Sequence, residues 1–162
     1  MIHIRRAGPM DTRAMADLLN AIIQRGGTTA MVEPVTSATL TDWMASGGAH
    51  AAWHIAEDDG GNLMGVQWIE PHHLLPPEAC DVATYVRLGR DRLGIGARLF
   101  EATRAAAVAL GYDWINATIR ADNSGGLAYY QSRGFETWAR DDNVRLGNGQ
   151  IVSKMSKRYT LT

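Results

Sequence analysis

Ile2 and Ile4 alternate with polar neighbours in MIHIRRA, the period-two pattern of a short strand. From residue 9 the period lengthens. In PMDTRAMADLLNAII the apolar positions 15, 18, 19 and 22 make one stripe of a helix, with Asp11 placed as its N-cap. RGGTTAMVEPV breaks that helix. TSATLTDWMAS then predicts a second, apolar at 40, 43 and 44 and closed by Gly47-Gly48. HAAWHIAED and NLMGVQWIEP are strand-like runs split by the turn DDGGN, and the prolines of PHHLLPPEA mark a loop.

CDVATYVRL predicts a further strand, which feeds a glycine turn and the helix GIGARLFEATRAAAVALG with a stripe at 95, 99, 102, 106 and 109. YDWINATIR alternates as a strand, NSGGLAYYQSRG predicts a short helix and FETWAR a strand. RLGNGQIVSKMSKRY has the form of a closing hairpin's turn and last strand. The order is βααββ, then β–turn–α, then βα, then ββ. The strand–helix–strand unit in the middle requires a parallel crossover, so the expected class is a mixed α/β sheet.

At 162 residues with no repeat or linker, residues 1–162 are expected to form a single domain. A net charge of −1 gives no reason to expect nucleic acid or an acidic membrane surface as partner. Cys80 is the one cysteine, so no internal disulfide can form; the expected home is a reducing cytoplasm, and Cys80 reads as a small buried hydrophobe. No apolar run approaches the ~20 residues of a membrane span.

RLGRDRLGIGARLFEATR places glycines at 89, 94 and 96 immediately before a helix. The first N–H groups of a helix lack partners and, with the helix dipole, suit an anion. A phosphate loop would need Gly-Lys-Ser or Gly-Lys-Thr where Gly96 is followed by Ala97-Arg98. A dinucleotide fingerprint would need Gly or Ala where Leu99 stands. On its own, GIG before a helix is a weak signal.

YVRLGRDRLGIGARLF resembles the pyrophosphate-binding segment of the GNAT superfamily of N-acetyltransferases, in which a strand ending in an aromatic–valine pair leads to Gly-x-Gly and a helix. About 25 residues on, NSGGLAYYQSRGF resembles that superfamily's second signature through Asn123, Tyr130 and Gly134-Phe135. Within the superfamily, IRRAGPMDTRAMADLLN and TTAMVEPVT are similar to the phosphinothricin and methionine sulfone acetyltransferase branch. The tail RLGNGQIVSKMSKRY lacks the Gly-Trp-x-Asp stretch associated with it. The resemblance implies a mostly antiparallel sheet with one splayed parallel strand pair, flanked by about four helices, and acetyl-CoA as acetyl donor to a primary amine of a small amino-acid-like molecule. It also suggests a homodimer. A protein or peptide N-acetyltransferase and a non-catalytic coenzyme A-binding module are the alternatives.

The resemblance places the pantetheine arm against Tyr85 and Val86 and the pyrophosphate on the amides from Arg92 and Leu93 through Gly94 and Gly96 to Ala97, with Asn123 on the coenzyme's arm. Asp91 is expected to face away from the phosphates. Asp81 is the candidate base, Glu33 a candidate substrate contact, and Tyr130 the candidate acid for the departing thiolate. Neighbouring Tyr129 is expected to point about 100° away from the cleft. His72-His73 lacks Cys or carboxylate partners at ligand spacing, so no metal is expected; that loop and Trp68 are expected to border the acceptor pocket. With no His partner suggested for Cys80, direct attack is expected in preference to an acetyl-enzyme.

Overall fold

The computed structural model describes residues 1–90 and 94–162. Among these, seven strands form one sheet: β1 (His3–Arg6), β2 (Ala52–Glu57), β3 (Leu63–Glu70), β4 (Ala79–Val86), β5 (Trp114–Arg120), β6 (Glu136–Arg145) and β7 (Ile151–Thr160). Their order is β1-β2-β3-β4-β5-β7-β6. Four α-helices flank them: α1 (Thr12–Arg25), α2 (Ser37–Gly47), α3 (Ile95–Ala109) and α4 (Ser124–Ser132). Every neighbouring pair runs antiparallel except β4 and β5, which the crossover through α3 makes parallel. The mixed sheet, its one parallel pair and the four helices are those the sequence implied.

The sheet separates two apolar layers. On one face α1 and α2 bury Met15, Leu19 and Leu40 against Ile55, Val66 and Trp68. On the other, α3 and α4 cover Ile69, Cys80, Phe100, Ile115 and Phe135, with Ile95 and Leu99 extending that layer beneath α3. β3 is sandwiched between both, so all its residues but Glu70 are buried, including the polar Gln67. Aromatic stacking stiffens the α1/α2 face: Trp68 lies parallel to Trp53 with centroids 4.1 Å apart and stacks on Tyr85 at 5.6 Å.

Three local expectations change. Asp11 ends a 3-10 turn and does not cap α1 with its side chain. Its carboxylate instead accepts the Gly8 N–H at 2.6 Å and two Arg5 N–H groups at 2.9 and 2.8 Å, because an arginine on the adjacent strand offers a stronger, charged donor. The buried face of α3 runs through 95, 99, 100, 103, 106 and 107, so Thr103 takes part in it and positions 102 and 109 do not. The strand expected at FETWAR continues to Arg145, with register shifts between Thr137/Ala139 and Asp141/Val144. Among the described residues no helix is long and apolar enough to cross a membrane.

His54 faces Gln67 across the β2–β3 register and is buried, with its Nδ1 unpartnered among the described residues. Burial, and secondarily the charge of Arg6, pushes its imidazole down to about 4 from 6.5. The unfolded chain therefore takes up a proton near pH 6.5 while the folded chain stays neutral until about pH 4. Stability is expected to decline as pH falls across that interval. His54→Phe should flatten the decline, as measured by denaturant unfolding at a series of pH values.

Candidate active site

β4 and β5 pair only at Ala79–Trp114, Cys80–Ile115 and Asp81–Asn116. Beyond Asp81, β4 keeps its partner β3 as far as Val86, while β5 keeps β7 as far as Arg120. The two strands thus part while each remains anchored on its outer side. A strand edge carries alternating N–H and C=O groups, so the second half of β4 presents backbone donors and acceptors to the gap. A cavity of about 930 Å³ fills that gap and reaches from Asp81 past Tyr85 and Val86 to Gly94, Gly96 and Ala97.

At its far end the chain turns into α3 through Gly94, whose φ of +70° is a left-handed conformation that favours glycine. Among the described residues the first helical N–H to find a carbonyl is that of Arg98, which donates to Gly94 at 3.2 Å. Among the described residues the N–H groups of Ile95, Gly96 and Ala97 have no helical partner, and they lie at the positive end of the dipole. Arg92 and Leu93, named from the sequence for the same cradle, and Asp91 lie outside the described residues. Gly96 has a further reason to be glycine: a Cβ there would come within 2.7 Å of Cε1 of Tyr129.

Alternation along β4 divides the site by chemistry. Thr84 points to the α3/α4 side, where its Oγ1 lies 2.7 Å from the Tyr130 hydroxyl. Asp81 and Tyr85 point to the α1/α2 side, where the Tyr85 hydroxyl meets Thr29 Oγ1 at 3.3 Å. Asn116, level with Asp81 on β5, donates through Nδ2 to the Asp81 carboxylate at 2.9 Å, and its Oδ1 accepts from the Trp138 indole at 2.9 Å. Burial pushes the Asp81 carboxyl above the usual carboxylate range, while the Asn116 hydrogen bond and the charges of His72 and Lys154 pull it partly back. Glu70 stands opposite Asp81 in the β3–β4 register; burial, and the Asp81 charge after it, raises this second carboxyl too.

Tyr130 is 7% exposed and lines the cavity; burial and then neighbouring Tyr129 push its phenol upward, so it stays protonated. Tyr129, expected to turn away, lines the cavity as well. Its ring, 4.8 Å from that of Tyr130, reaches the start of α3, where its hydroxyl donates to the Gly96 carbonyl at 2.7 Å. The short α4 lies across the cleft, so two directions 100° apart both meet cavity wall. Asn123 caps α4 by accepting the Gly126 N–H at 3.0 Å and donates to the Thr28 carbonyl at 3.1 Å. Arg120, buried and paired with Asp122 at 2.8 Å, holds the Thr29 carbonyl. Together Asn123 and Arg120 tie the α1–α2 connection over the cavity.

Glu33 is exposed on that connection and does not line the cavity, because the loop is held down at Thr28 and Thr29 and Glu33 lies beyond them. Of the pair expected to border the acceptor pocket, His72 does line the cavity, whereas Trp68 is sealed in its aromatic stack; Trp138 on β6 takes that place. Cys80 is fully buried, and burial pushes its thiol up to about 12. Gln67, Thr84, Asn116 and Lys154 escaped the sequence reading. A signal existed for Gln67, the single uncharged polar side chain within the strand stretch LMGVQWIE.

No protein-family model and no curated protein sequence matches the chain. Solved structures do. An N-acetyltransferase from Staphylococcus aureus Mu50 superposes with a TM-score of 0.90 at 20% identity, over 100% of this chain and 99% of that one. A GNAT superfamily phosphinothricin acetyltransferase from Sinorhizobium meliloti, in complex with acetyl-CoA, gives 0.89 at 18% identity over 99% and 88%. A ribosomal-protein-alanine N-acetyltransferase from Brucella melitensis gives 0.89 at 20% identity over 98% and 99%. The chain has the GNAT acetyltransferase fold, with its parallel strands parted over a cavity.

Gly96→Ala is expected to displace Tyr129 and lower stability by about 1–3 kcal/mol, as overpacking does. Gly125→Ala, which meets nothing nearer than Asn123 Oδ1 at 3.9 Å, should cost little. Thermal unfolding of the two variants side by side checks the difference.

Proposed function

We propose that the protein is an acetyl-CoA-dependent N-acetyltransferase that acetylates the primary amine of a small amino-acid-like molecule by direct attack in a ternary complex. The observation that carries this is the arrested pairing of β4 and β5, which leaves a lined gap running from a buried carboxylate to the start of α3. The pyrophosphate binds the N–H groups at Ile95–Ala97, and the pantetheine amides pair with the free backbone edge at Tyr85 and Val86. Asn123 borders the coenzyme's arm. On the α1/α2 side, Lys154 reaches the same cavity as Asp81 and forms no ion pair among the described residues, so it suits the acceptor's carboxylate.

Asp81 takes a proton from the acceptor's ammonium, directly or through water. The neutral nitrogen attacks the thioester carbonyl carbon, forming the C–N bond and moving a carbonyl electron pair onto oxygen. Collapse breaks the C–S bond, with its electron pair leaving on sulfur, which takes the Tyr130 proton; the phenolate is reprotonated from solvent. The adduct nitrogen loses its surplus proton to solvent, so each turnover yields amide, free thiol and one proton. An acetyl-cysteine route has no support, since Cys80 is a neutral thiol inside the core.

A peptide acceptor is the second reading, favoured by Leu74 and Trp138, 77% and 47% exposed apolar side chains that line the cavity. Release of coenzyme A from acetyl-CoA should be followed with methionine sulfone, methionine sulfoximine, phosphinothricin, common amino acids, polyamines and a short peptide. Selective turnover of the amino-acid-like amines is expected; turnover of the peptide alone would replace the first reading by the second. No turnover with any of them would count against both.

With an active acceptor in hand, kcat/KM should rise with pH as Asp81 ionises, above the usual carboxylate range. Lys154 helps hold Asp81 down, so Lys154→Ala should move that acidic limb to higher pH, and Asp81→Asn should remove it while lowering kcat by about 10²-fold. A limb unmoved in both variants would exclude Asp81 as the base.

A further inference from the structure

Four polar side chains meet beneath the start of α3, and their hydrogens can be assigned one after another. The Gly96 carbonyl can only accept, so the Tyr129 hydroxyl, 2.7 Å away, donates to it. With its one proton committed there, Tyr129 Oη can only accept from Gln67 at 3.0 Å, which fixes the nitrogen of the Gln67 amide on that side. The reversed amide would set a carbonyl oxygen against Tyr129 and require a second phenolic proton that does not exist.

The other Gln67 N–H donates to Thr84 Oγ1 at 2.8 Å. Thr84 keeps one hydroxyl proton, and its remaining partner among the described residues is the Tyr130 hydroxyl at 2.7 Å. Both side chains line the cavity, so either hydroxyl can donate to the other, but an acceptor seated beside Tyr130 gives both protons a partner only when Thr84 donates to Tyr130. With such an acceptor in place Thr84 donates, Tyr130 Oη accepts, and the Tyr130 proton has no protein partner among the described residues where that side chain lines the cavity.

Resting on the acetyl-CoA site proposed above, we infer that Gln67, Thr84 and Tyr129 are positioning residues whose donated protons run outward from the Gln67 amide, through Tyr129 to Gly96 and through Thr84 to Tyr130, so that Tyr130 presents its hydroxyl proton to the coenzyme sulfur. The chain begins at Gly96, inside the turn assigned to the pyrophosphate, and ends at the thioester. One set of hydrogen bonds thus links the two ends of the coenzyme site. Tyr129 is an internal donor–acceptor in this arrangement and gives no proton to the substrate.

The test needs no acceptor amine. Free coenzyme A is bound to the protein and its thiol is titrated through the ultraviolet absorbance of the thiolate, between pH 6 and 9, where tyrosines remain neutral. A hydroxyl proton aimed at sulfur favours the thiolate, so the bound thiol should ionise about tenfold more readily than free coenzyme A, roughly one pKa unit. Tyr130→Phe should abolish the shift. Thr84→Val should lose most of it while binding coenzyme A within about threefold of the parent, and Thr84→Ser, which keeps the hydroxyl, should retain it. Gln67→Met, which breaks the chain one residue earlier, gives the same reading should Thr84→Val fail to fold.

A shift lost in Tyr130→Phe but kept in Thr84→Val or Gln67→Met would overturn the positioning chain and leave the acid in place. A bound thiol that titrates like the free one in the parent protein would overturn it outright. Failure of the folded parent protein to bind coenzyme A would instead overturn the acetyl-CoA reading beneath it.

Discussion

The structure depends on a parallel strand pair that stops after three residues. Past Asp81 and Asn116, β4 and β5 each stay paired on their outer sides, and they part without either strand ending. Backbone polar groups that face one another across most sheets face an opening here, and a polar, elongated ligand can take the place of the missing strand. Everything else at the site is arranged around that opening. α3 begins where β4 leaves the sheet, α4 crosses the far side, and the α1–α2 connection is tied down over it by Arg120 and Asn123.

The opening also sorts chemistry by strand alternation. Successive residues of β4 point to opposite faces, so Asp81 and Tyr85 serve one chamber while Thr84 serves the other. In the proposed reaction the Asp81 carboxyl and the Tyr130 phenol, the latter held by Thr84, would then lie on opposite sides of the thioester. The carboxyl chamber is lined by Asn116 and Lys154, and the phenol chamber by Tyr129 and Tyr130. Burial acts on both groups: it raises the Asp81 carboxyl above the usual carboxylate range and keeps Tyr130 protonated.

Much of this was legible in the chain. Alternation and glycine punctuation mark the strand that holds Asp81, and the left-handed glycine at 94 is written into GIG. Asn123 before a short helix announces its own cap. Other features were hidden for definable reasons. Glu33 had a carboxylate and a proline neighbour to recommend it, but a loop's direction is set by tertiary anchors at Thr28 and Thr29 that no local pattern encodes. Tyr129 looked excluded by helical geometry, which gives a direction relative to the helix and not to the cleft that the helix crosses. Gln67 and Thr103 fall in apolar stripes, where a polar residue looks like a break in pattern until both faces of the strand prove to be covered.

The central claim is that the free edge of β4 is the seat of the coenzyme's arm. Amide hydrogen exchange with and without coenzyme A tests it most directly. Slowed exchange at the β4 amides between Val82 and Val86 that face the gap, and at Ile95–Ala97, with little change in β2 or β6, is the result the account predicts. Binding that leaves those amides exchanging at their free rate and protects another surface would contradict it.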